Sequence, residues 1–489
     1  MLSSVEQTRL VISKNTEPKR KSQLGQFLTP ARMAQFMAGL FKSNGSLDCR
    51  LLDAGAGIGS LSSAFLERCI NTELSFKKIE ITAFELDSLI HEDLKRSLSS
   101  YANGLPVAYE ILGGDFIEQA VDRIKCDYGN RFTHAILNPP YKKINSNSHH
   151  RLLLRQAGIE TVNLYSAFVA LTLALMAQGG QVVAIIPRSF CNGPYYRLFR
   201  EFILKRASLH HIHLFASRNK AFKDDGVLQE NVIILLERDG HQGDVAISTS
   251  TDDSFTDYAV QIHPFDRIVF PSDSEHFIHV PTSSERSAIE LSPAIQCTLE
   301  NIGVKVSTGP VVDFRLKKHI RNMPETGTVP LIYPGHFNGQ FVEWPKPNVK
   351  KPNAIQRNAE TEKWLYPSGY YCVVRRFSSK EEKRRIVANV IRPSIFRNAE
   401  MLGFENHLNV FHEQRHGVPE ALAHGLATFL NTTAVDENFR QFNGHTQVNA
   451  TDLKTMKYPS RQKLIALGKA AMRLPHNQQT IDHLFQELK

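Results

Sequence analysis

Between Cys49 and Glu237 the sequence alternates short runs of β-forming residues with longer stretches of helical periodicity. Seven runs predict strands, at 50–54, 79–85, 107–113, 134–137, 181–187, 209–215 and 232–237. Helical stretches lie between them at 61–70, 88–101, 164–177 and 195–205. This alternation predicts an α/β fold with a mainly parallel, doubly wound sheet. Ligands of such sheets bind beyond the carboxyl ends of the strands.

The length of 489 residues predicts two domains, because it is about twice the size at which a single core stops growing. The polar stretch His241–Asp257 suggests a boundary between residues 243 and 244, giving domains 1–243 and 244–489. The polar N-terminus and the lack of an apolar run of about 18 residues predict a cytoplasmic protein. Six widely spaced cysteines without a CxxC pair predict reduced structural thiols.

The chain is basic, with a net charge of +9, and the excess is concentrated in one region. From Lys346 to Glu400 there are 13 Lys and Arg against five Asp and Glu. This region suits neutralisation of a polyanion such as DNA, although a solvated basic loop would have the same composition.

In the run Leu51–Gly59 a predicted strand ends in the acid Asp53, and a glycine-rich turn follows. The turn contains Ala54, Gly55 and Gly57. Glycines allow a ligand to approach the main chain closely. The spacing is GxGxG, whereas a pyrophosphate site favours GxGxxG. The acid would repel phosphate and could hold an ammonium group, but a purely structural turn is an open alternative.

Acids also end the next two predicted strands. Glu85, followed by Leu86, could accept the hydroxyls of a ribose, and Leu86 could pack on a purine ring. Asp115, followed by Phe116, offers an acceptor beside an aromatic wall. Each acid could instead cap the helix that follows it.

The fourth predicted strand ends in Asn138-Pro139-Pro140-Tyr141. An amino group conjugated to an aromatic ring is a poor nucleophile unless two acceptors hold its N–H bonds. The Asn138 side-chain oxygen and the Pro139 carbonyl can be these acceptors, and Pro140 helps to fix the backbone. Tyr141 offers a ring on which a planar base can stack.

Together these motifs resemble the adenine-specific DNA methyltransferases of the gamma arrangement, which include the TaqI-like and PstI/BsuBI-like type II modification methylases. The motif order GQFLTP, DAGAGIG, FELD, GGDF and NPPY matches that family, as do Asn163–Phe168 and Gly179–Phe190. The resemblance implies a Rossmann-like class I methyltransferase sheet of seven mostly parallel strands. It also implies a C-terminal α+β target recognition domain and S-adenosylmethionine as the cofactor.

The resemblance also implies roles for single residues. Thr29 and Pro30 would contact the methionine part of the cofactor, and Asp53 and Gly55 would line the same pocket. Glu85 would bind the ribose of the cofactor. Asp115 and Phe116 would bind its adenine. A second aromatic would hold the flipped base against Tyr141, and Phe222 is the first choice, with Phe215 as the alternative.

In the second half, 307–309, 330–337 and 447–453 resemble PstI/BsuBI-like recognition domains. The candidate DNA contacts are Arg315, Lys317, Lys318, Arg375 and Arg376, each of which could instead be simply solvated. His149-His150 are expected in a polar loop and His210, His211 and His213 on a strand, and no metal site is expected.

The predicted function is transfer of a methyl group to the exocyclic amino group of an adenine in double-stranded DNA. A methyltransferase acting on RNA or a protein glutamine, and a DNA-binding protein with a relic fold, are the alternatives. No nuclease motif is recognisable, so a separately encoded partner endonuclease is expected, although a solitary methylase is possible. The PstI/BsuBI likeness suggests a short palindrome such as CTGCAG as the recognition site.

Overall fold

A computed structural model of the chain describes residues 1–17, 20, 27–126, 131–216, 230–339, 341–347, 350–396, 399–475 and 477–487. The chain forms two compact units, Met1–Ser284 and Glu285–Lys489. No helix within the described residues is long and apolar enough to cross a membrane.

Unit 1 is built on one nine-stranded sheet. Its strands are β1 (Asp48–Ala54), β2 (Lys78–Phe84), β3 (Val107–Leu112), β4 (Phe132–Leu137), β5 (Met176–Pro187), β6 (Ala207–Phe215), β7 (Asn231–Arg238), β8 (Val245–Ser250) and β9 (Ala259–His263). The strand order is β3-β2-β1-β4-β5-β7-β6-β8-β9. The first five strands in this order, β3, β2, β1, β4 and β5, are parallel to one another. Strand β7 is antiparallel to both of its neighbours, β5 and β6.

The helices of unit 1 connect these strands. They are α1 (Leu2–Asn15), α2 (Ala31–Gly39), α3 (Ser60–Ile70), α4 (His91–Ser99), α5 (Phe116–Lys125), α6 (His149–Gln156), α7 (Leu164–Leu175), α8 (Arg197–Arg206) and α9 (Phe265–Ile268). Two buried apolar clusters complete the core. They form because the parallel strands are apolar on both sides, as in Val182–Ile186.

The predicted fold class is confirmed, and all seven predicted strands are present. The sheet has two further strands, because β8 pairs in parallel with β6 and β9 pairs antiparallel with β8. The division between the units therefore falls after Ser284 and not at residue 243. The polar stretch 241–257 is not a linker between domains, because it contains β8, an interior strand of the sheet between β6 and β9.

Unit 2 is an α+β structure with two main sheets. Its strands are β10 (Ile295–Cys297), β11 (Lys305–Thr308), β12 (Ile320–Arg321), β13 (Thr328–Ile332), β14 (Phe337–Asn338), β15 (Phe341–Val342), β16 (Ala354–Gln356), β17 (Leu365–Pro367), β18 (Tyr371–Arg375), β19 (Ala388–Ile391), β20 (Met401–Phe404), β21 (Leu408–His412) and β22 (Tyr458–Pro459). One sheet has the order β11-β21-β18-β19 and the other β12-β16-β13-β20-β17.

The helices of unit 2 are α10 (Ala288–Leu291), α11 (Glu420–Leu430), α12 (Thr433–Phe442), α13 (Ala450–Thr455), α14 (Arg461–Ala471) and α15 (Gln478–Gln486). Two glycines let α11 and α14 cross closely. A Cβ atom at Gly425 would lie 1.9 Å from the Leu464 carbonyl oxygen, and one at Gly468 would lie 1.8 Å from that of Ala421. Any side chain at either position would force the helices apart.

Candidate functional site

A cavity of about 230 Å³ lies at the carboxyl ends of four neighbouring strands of unit 1. Gly55 follows β1, Glu85 follows β2, Asp115 comes just after β3, and Asn138 follows β4. The order β3-β2-β1-β4 places these strand ends side by side, so four residues that are distant in sequence line one cavity.

The glycine-rich turn after β1 keeps the floor of the cavity open. The backbone N–H groups of Gly55 and Ala56 donate to the Phe84 carbonyl oxygen, at 2.9 and 2.8 Å. Gly55 has a φ of 87°, in the left-handed region that favours glycine. A Cβ atom there would lie 3.9 Å from both the Asn138 carbonyl oxygen and the Phe168 ring, which also line the cavity.

The Glu85 carboxylate is held by two backbone donors. One oxygen accepts from the Gly57 N–H and the other from the Asp87 N–H, each at 2.7 Å. Burial raises the pKa of Glu85, while the two hydrogen bonds oppose that shift. Each oxygen retains a further lone pair, so the carboxylate can still accept hydroxyl groups from a ligand.

Asp115 caps a helix and also lines the cavity. Its Oδ1 caps α5 by accepting from the N–H groups of Ile117 and Glu118, at 2.8 and 3.3 Å. Its Oδ2 contacts the Nε2 atom of His150, 2.9 Å away, and both side chains line the cavity. Burial would raise the pKa of Asp115, but His150 and the two backbone donors outweigh it and lower the pKa. The hydrogen bond to Asp115 in turn raises the pKa of His150.

His150 belongs to a helix and not to the polar loop expected from the sequence. Helix α6 begins at His149, its N-cap residue Ser148 accepts a hydrogen bond from the Arg151 N–H, and Leu154 is buried beneath it. The Ser-Asn composition before His149 is that of a helix start rather than of an extended loop.

The orientation of the Asn138 amide is determined by its neighbours. Its Nδ2 donates to the Phe27 carbonyl oxygen and to the Thr29 hydroxyl, each at 3.1 Å. Its Oδ1 accepts from the Tyr141 hydroxyl, also at 3.1 Å. Because two acceptors bind the nitrogen, the carbonyl end must face Tyr141, with one lone pair remaining.

The Tyr141 side chain is half-buried beside the cavity. Its hydroxyl group also lies 3.1 Å from the Ile185 carbonyl oxygen. Its ring lies 6.2 Å from both the Phe27 ring and the Tyr165 ring. Pro139 is buried, and within the described residues its carbonyl oxygen accepts no hydrogen bond.

Five residues predicted for the site do not line the cavity, namely Pro30, Asp53, Ala54, Pro139 and Tyr141. Asp53 is fully buried, its Oδ2 accepts from the Ser62 hydroxyl at 2.6 Å, and burial raises its pKa to about 7. Asp53 therefore connects the end of β1 to α3, and the structure does not bring it to the cavity as an ammonium ligand.

Other cavity residues were not predicted as site residues from the sequence. They are Phe27, Leu28, Ala56, Ile58, Ser60, Leu61, Phe84, Gly114, Lys142, His150, Leu164 and Phe168. Phe27 belongs to the GQFLTP motif and Phe168 to the motif Asn163–Phe168, so the motifs themselves point to both rings. The sequence carries no signal that places His150 here.

The predicted second aromatic, Phe222, lies outside the described residues. The alternative, Phe215, is 3% exposed and packs at 4.6 Å from the His213 ring and 6.0 Å from the Phe255 ring. Phe215 does not line the cavity.

The strand histidines serve packing and hydrogen bonding. His211 and His213 both contact the Ser248 hydroxyl, at 2.6 and 2.8 Å, and burial lowers the pKa of each. Across the part of the chain that the structure describes, no group of three or more His, Cys, Asp or Glu is arranged to hold a metal ion.

The candidate DNA contacts in unit 2 differ in their surroundings. Arg315 and Lys317 are exposed and form no ion pair within the described residues. Lys318 pairs with Glu360 at 2.7 Å, and Arg375 pairs with Glu382. Arg376 is half-buried and bound by oxygens of its own unit.

Comparison with known proteins identifies the family of this chain. Residues 31–222 match the family described as Eco57I restriction-modification methylase. Over its full length the chain is 53% identical to the type II methyltransferase M.BsuBI of Bacillus subtilis, of which it covers 98%. It is 40% identical to the type II methyltransferase M.PstI of Providencia stuartii, over 94% of this chain and 92% of that protein. This chain belongs to the type II methyltransferases of restriction–modification systems.

The fold agrees with the same family. The type IIL restriction-modification enzyme MmeI, solved in complex with DNA, aligns with a TM-score of 0.54 and 10% identity. The alignment covers all of this chain and 74% of that one, and it supports the shared fold. As a member of the family of M.BsuBI and M.PstI, the protein is a DNA methyltransferase that uses S-adenosylmethionine.

The cavity fits this cofactor in its chemistry. Glu85 presents carboxylate lone pairs suited to ribose hydroxyls, and Asp115 presents an acceptor beside the apolar walls of Phe116 and Leu86. At the other end Thr29 and the open face of Gly55 leave space for an amino-acid tail.

Proposed function

We propose that this DNA methyltransferase transfers the methyl group to the exocyclic amino group of an adenine that is flipped out of double-stranded DNA. The observation that carries the proposal is the fixed Asn138 amide at the edge of the cofactor cavity. An amide carbonyl beside an unoccupied main-chain carbonyl, that of Pro139, is the pair of acceptors that an aromatic amino group requires.

The two acceptors act on the nitrogen of the base. Hydrogen bonds from both N–H groups to Asn138 and Pro139 withdraw the nitrogen lone pair from the ring and direct it towards the cavity. Phe27 and Thr29 prevent the Asn138 amide from turning its own N–H groups towards the base. Rigid placement of this kind supplies most of the rate enhancement.

The flipped base needs stacking to offset its broken base pair, which costs a few kcal/mol. The Tyr141 ring offers a stacking face worth about 1–3 kcal/mol. The hydrogen bond from the Tyr141 hydroxyl to Asn138 holds the Tyr141 ring and the Asn138 amide in a fixed arrangement. Phe222 remains the proposed second aromatic.

When bound, S-adenosylmethionine supplies a methyl group on a positively charged sulfur, which is already an activated leaving group. The chain therefore needs to bind, orient and exclude water rather than provide a strong base. Glu85 and Asp115 hold the cofactor end of the cavity, and Asn138 aligns the amino nitrogen with it. The proton leaves the nitrogen after transfer.

The proposal is tested with Tyr141→Ala and Asn138→Ala. Both variants should lose most adenine methylation, while Tyr141→Ala should keep its affinity for S-adenosylmethionine because Tyr141 does not line the cofactor cavity. Tyr195→Ala is the matched control, since that ring is 75% exposed and is not part of the site. Mass spectrometry of the methylated nucleosides identifies the product. Methylated cytosine from the wild type, or an unchanged rate for Tyr141→Ala, would refute the proposal.

We also propose that Arg315 and Lys317 bind DNA phosphates. Each contact between a basic side chain and a DNA phosphate that is lost lowers the slope of log affinity against log salt concentration by about 0.9. Changing both residues to Ala should therefore reduce the slope by up to about two. Lys318→Ala removes the same type of charge, but Glu360 already neutralises it, so its effect should be smaller. Equal slopes for wild type and the double variant would place the phosphate-binding residues elsewhere.

A separately encoded endonuclease is the proposed partner, on the strength of the type II family. DNA from cells that express the active protein should resist that endonuclease, and DNA from cells expressing Tyr141→Ala should be cleaved. The positions of methylated adenines in the protected DNA also show whether the recognised sequence is CTGCAG.

A further inference from the structure

Three loops of unit 2 bring together a set of polar and aromatic side chains that the sequence does not group. We call Arg376, Phe377, Asn406, His407 and Gln447 the recognition cluster. Arg376 and Phe377 follow β18, Asn406 and His407 lie in the turn between β20 and β21, and Gln447 precedes α13.

The backbone fixes these loops to one another. The Arg376 N–H donates to the His407 carbonyl oxygen at 2.8 Å, and the Arg376 carbonyl oxygen accepts from the Val448 N–H at 2.7 Å. Phe377 and Gln447 form an antiparallel bridge. The main-chain positions of the cluster are therefore set before any ligand binds.

A glycine in a neighbouring segment makes this arrangement possible. The Gly309 N–H donates to the Leu408 carbonyl oxygen at 2.8 Å, which presses residue 309 against the turn that carries Asn406. A Cβ atom at residue 309 would lie only 2.2 Å from the Glu405 carbonyl oxygen and 2.6 Å from that of Phe404. Any residue other than glycine would displace the turn.

The Arg376 guanidinium is held at both of its terminal nitrogens. Nη1 donates to the Asn406 carbonyl oxygen at 3.2 Å, and Nη2 donates to the Gln447 side-chain oxygen at 3.3 Å. Each terminal nitrogen carries two hydrogens, so one N–H on each remains for a ligand. A planar guanidinium with a remaining donor on each terminal nitrogen is the type of group that binds the O6 and N7 acceptors of guanine in the major groove.

The other members of the cluster also suit base edges. The Asn406 side-chain oxygen is buried and has no hydrogen-bond partner within the described residues. The Phe377 ring is 41% exposed, lies 5.0 Å from the His407 ring, and offers an apolar contact for a base or a thymine methyl group. His407 Nδ1 contacts the buried carboxylate of Glu405, which fixes the orientation of the imidazole ring.

The charge of the cluster argues against phosphate binding. Arg376 is its only permanent cation, and the Glu405 carboxylate lies beside the cluster, bound to the His407 N–H, whereas phosphate binding favours an excess of positive charge. Asn406, Gln447 and His407 each combine donors with acceptors, the property that distinguishes one base edge from another.

We propose that the recognition cluster reads bases of the target sequence through the major groove, with Arg376 as its main specificity-determining residue. This inference rests on the proposed function, because it concerns the DNA that the enzyme methylates.

The test uses the full-length enzyme and Arg376→Lys, which keeps the charge but loses the planar pair of donors. Wild type and variant methylate duplexes of randomised sequence with S-adenosylmethionine, and sequencing of methylated positions gives the preference at each base. We expect Arg376→Lys to lose about five- to 150-fold discrimination at one position of the site, as for other bidentate Arg–guanine pairs. Affinity for random duplex DNA and for the cofactor should not change.

Arg375→Lys is the matched control, since the adjacent arginine is already paired with Glu382, and its preferences should equal those of the wild type. Gln447→Ala is the second variant, should Arg376→Lys be unstable, and it should also relax one position. Unchanged discrimination in both variants, or equal weakening on cognate and random DNA, would overturn the inference. If the wild type forms no methyladenine, the proposed function fails, while binding to cognate and random duplexes still tests the cluster.

Discussion

Replacement of Glu85 by Gln should weaken cofactor binding without destroying the fold. The side chain keeps its size, but an amide has one oxygen where the carboxylate has two. Both carboxylate oxygens accept a backbone N–H at 2.7 Å, from Gly57 and from Asp87. In either orientation of the amide, one of these buried N–H groups must face an NH₂ group.

The magnitude follows from two opposing contributions. The mismatched N–H group is present with and without cofactor, so it lowers stability rather than affinity. Cofactor binding loses the charged acceptor of a ribose hydroxyl, and a buried donor left without an acceptor costs about 1–3 kcal/mol. Burial raises the pKa of Glu85, so removing its charge recovers part of the desolvation free energy. We therefore expect the lower half of that range, which is about a five- to 30-fold rise in the dissociation constant of S-adenosylmethionine.

Calorimetric titration of the purified enzyme with S-adenosylmethionine measures this effect. Glu80→Gln is the control, because Glu80 lies on β2, the strand that Glu85 follows, pairs with Lys78 at 2.6 Å, and does not line the cavity. A cofactor analogue without the 2′-hydroxyl group separates the ribose interaction from the effect on the turn. The analogue should bind less tightly than the cofactor to the wild type but equally to a Glu85→Ala variant. Wild-type affinity in Glu85→Gln would refute the role of this carboxylate.

Three further outcomes are expected. Gly55 and Gly45 both have a positive φ, so Gly55→Ala and Gly45→Ala should each lower the free energy of unfolding by about 1–2 kcal/mol. Only Gly55→Ala should also reduce the affinity for the cofactor, by at least about tenfold in titrations. The pKa of His150, measured by NMR, should lie above its ordinary value in the wild type and should fall in Asp115→Asn. The stabilisation that the His150–Asp115 pair contributes should be lost as the pH rises through the raised pKa of His150, or as it falls through the lowered pKa of Asp115. Thermal unfolding at several pH values measures this loss. The fragment Met1–Ser284 should bind the cofactor like the whole enzyme, whereas a fragment ending at residue 243 should unfold at a lower temperature, because the loss of β8 exposes the edge of β6.

The strand ends of unit 1 were predictable because topology and chemistry agree there. Each of Gly55, Glu85, Asp115 and Asn138 follows a run of β-forming residues, and parallel strands bring their carboxyl ends together. The boundary of unit 1 was harder to predict, because β8 lies in a stretch whose Ser, Thr, Asp and Gly residues are also typical of a linker.

The position of Asp53 shows where motif reasoning fails. The acid before a glycine-rich turn has the correct charge for an ammonium group, but its side chain points beneath the turn, to the Ser62 hydroxyl. Strand alternation decides this direction, and a shift of one residue in the end of β1 reverses it. A sequence does not give strand ends to that accuracy.

The recognition cluster was inaccessible for a different reason. Arg376, Asn406 and Gln447 belong to loops about thirty to seventy residues apart, and only the pairing of β18 with β21 and the backbone hydrogen bonds of the loops unite them. Arg375 and Arg376 look alike in sequence, yet one pairs with Glu382 and the other presents a second N–H on each terminal nitrogen of a fixed plane.

Asp115 shows that a structural and a functional interpretation of one residue need not exclude each other. A carboxylate has two oxygens, and here Oδ1 caps α5 while Oδ2 contacts His150 at the cavity. The cap orients the carboxylate through N–H groups of the first helical turn, so the second oxygen reaches the cavity in a defined direction. The start of α5 thereby lines the cavity proposed to bind the cofactor, and removal of the cap should displace the Asp115 acceptor even if a polar side chain is retained.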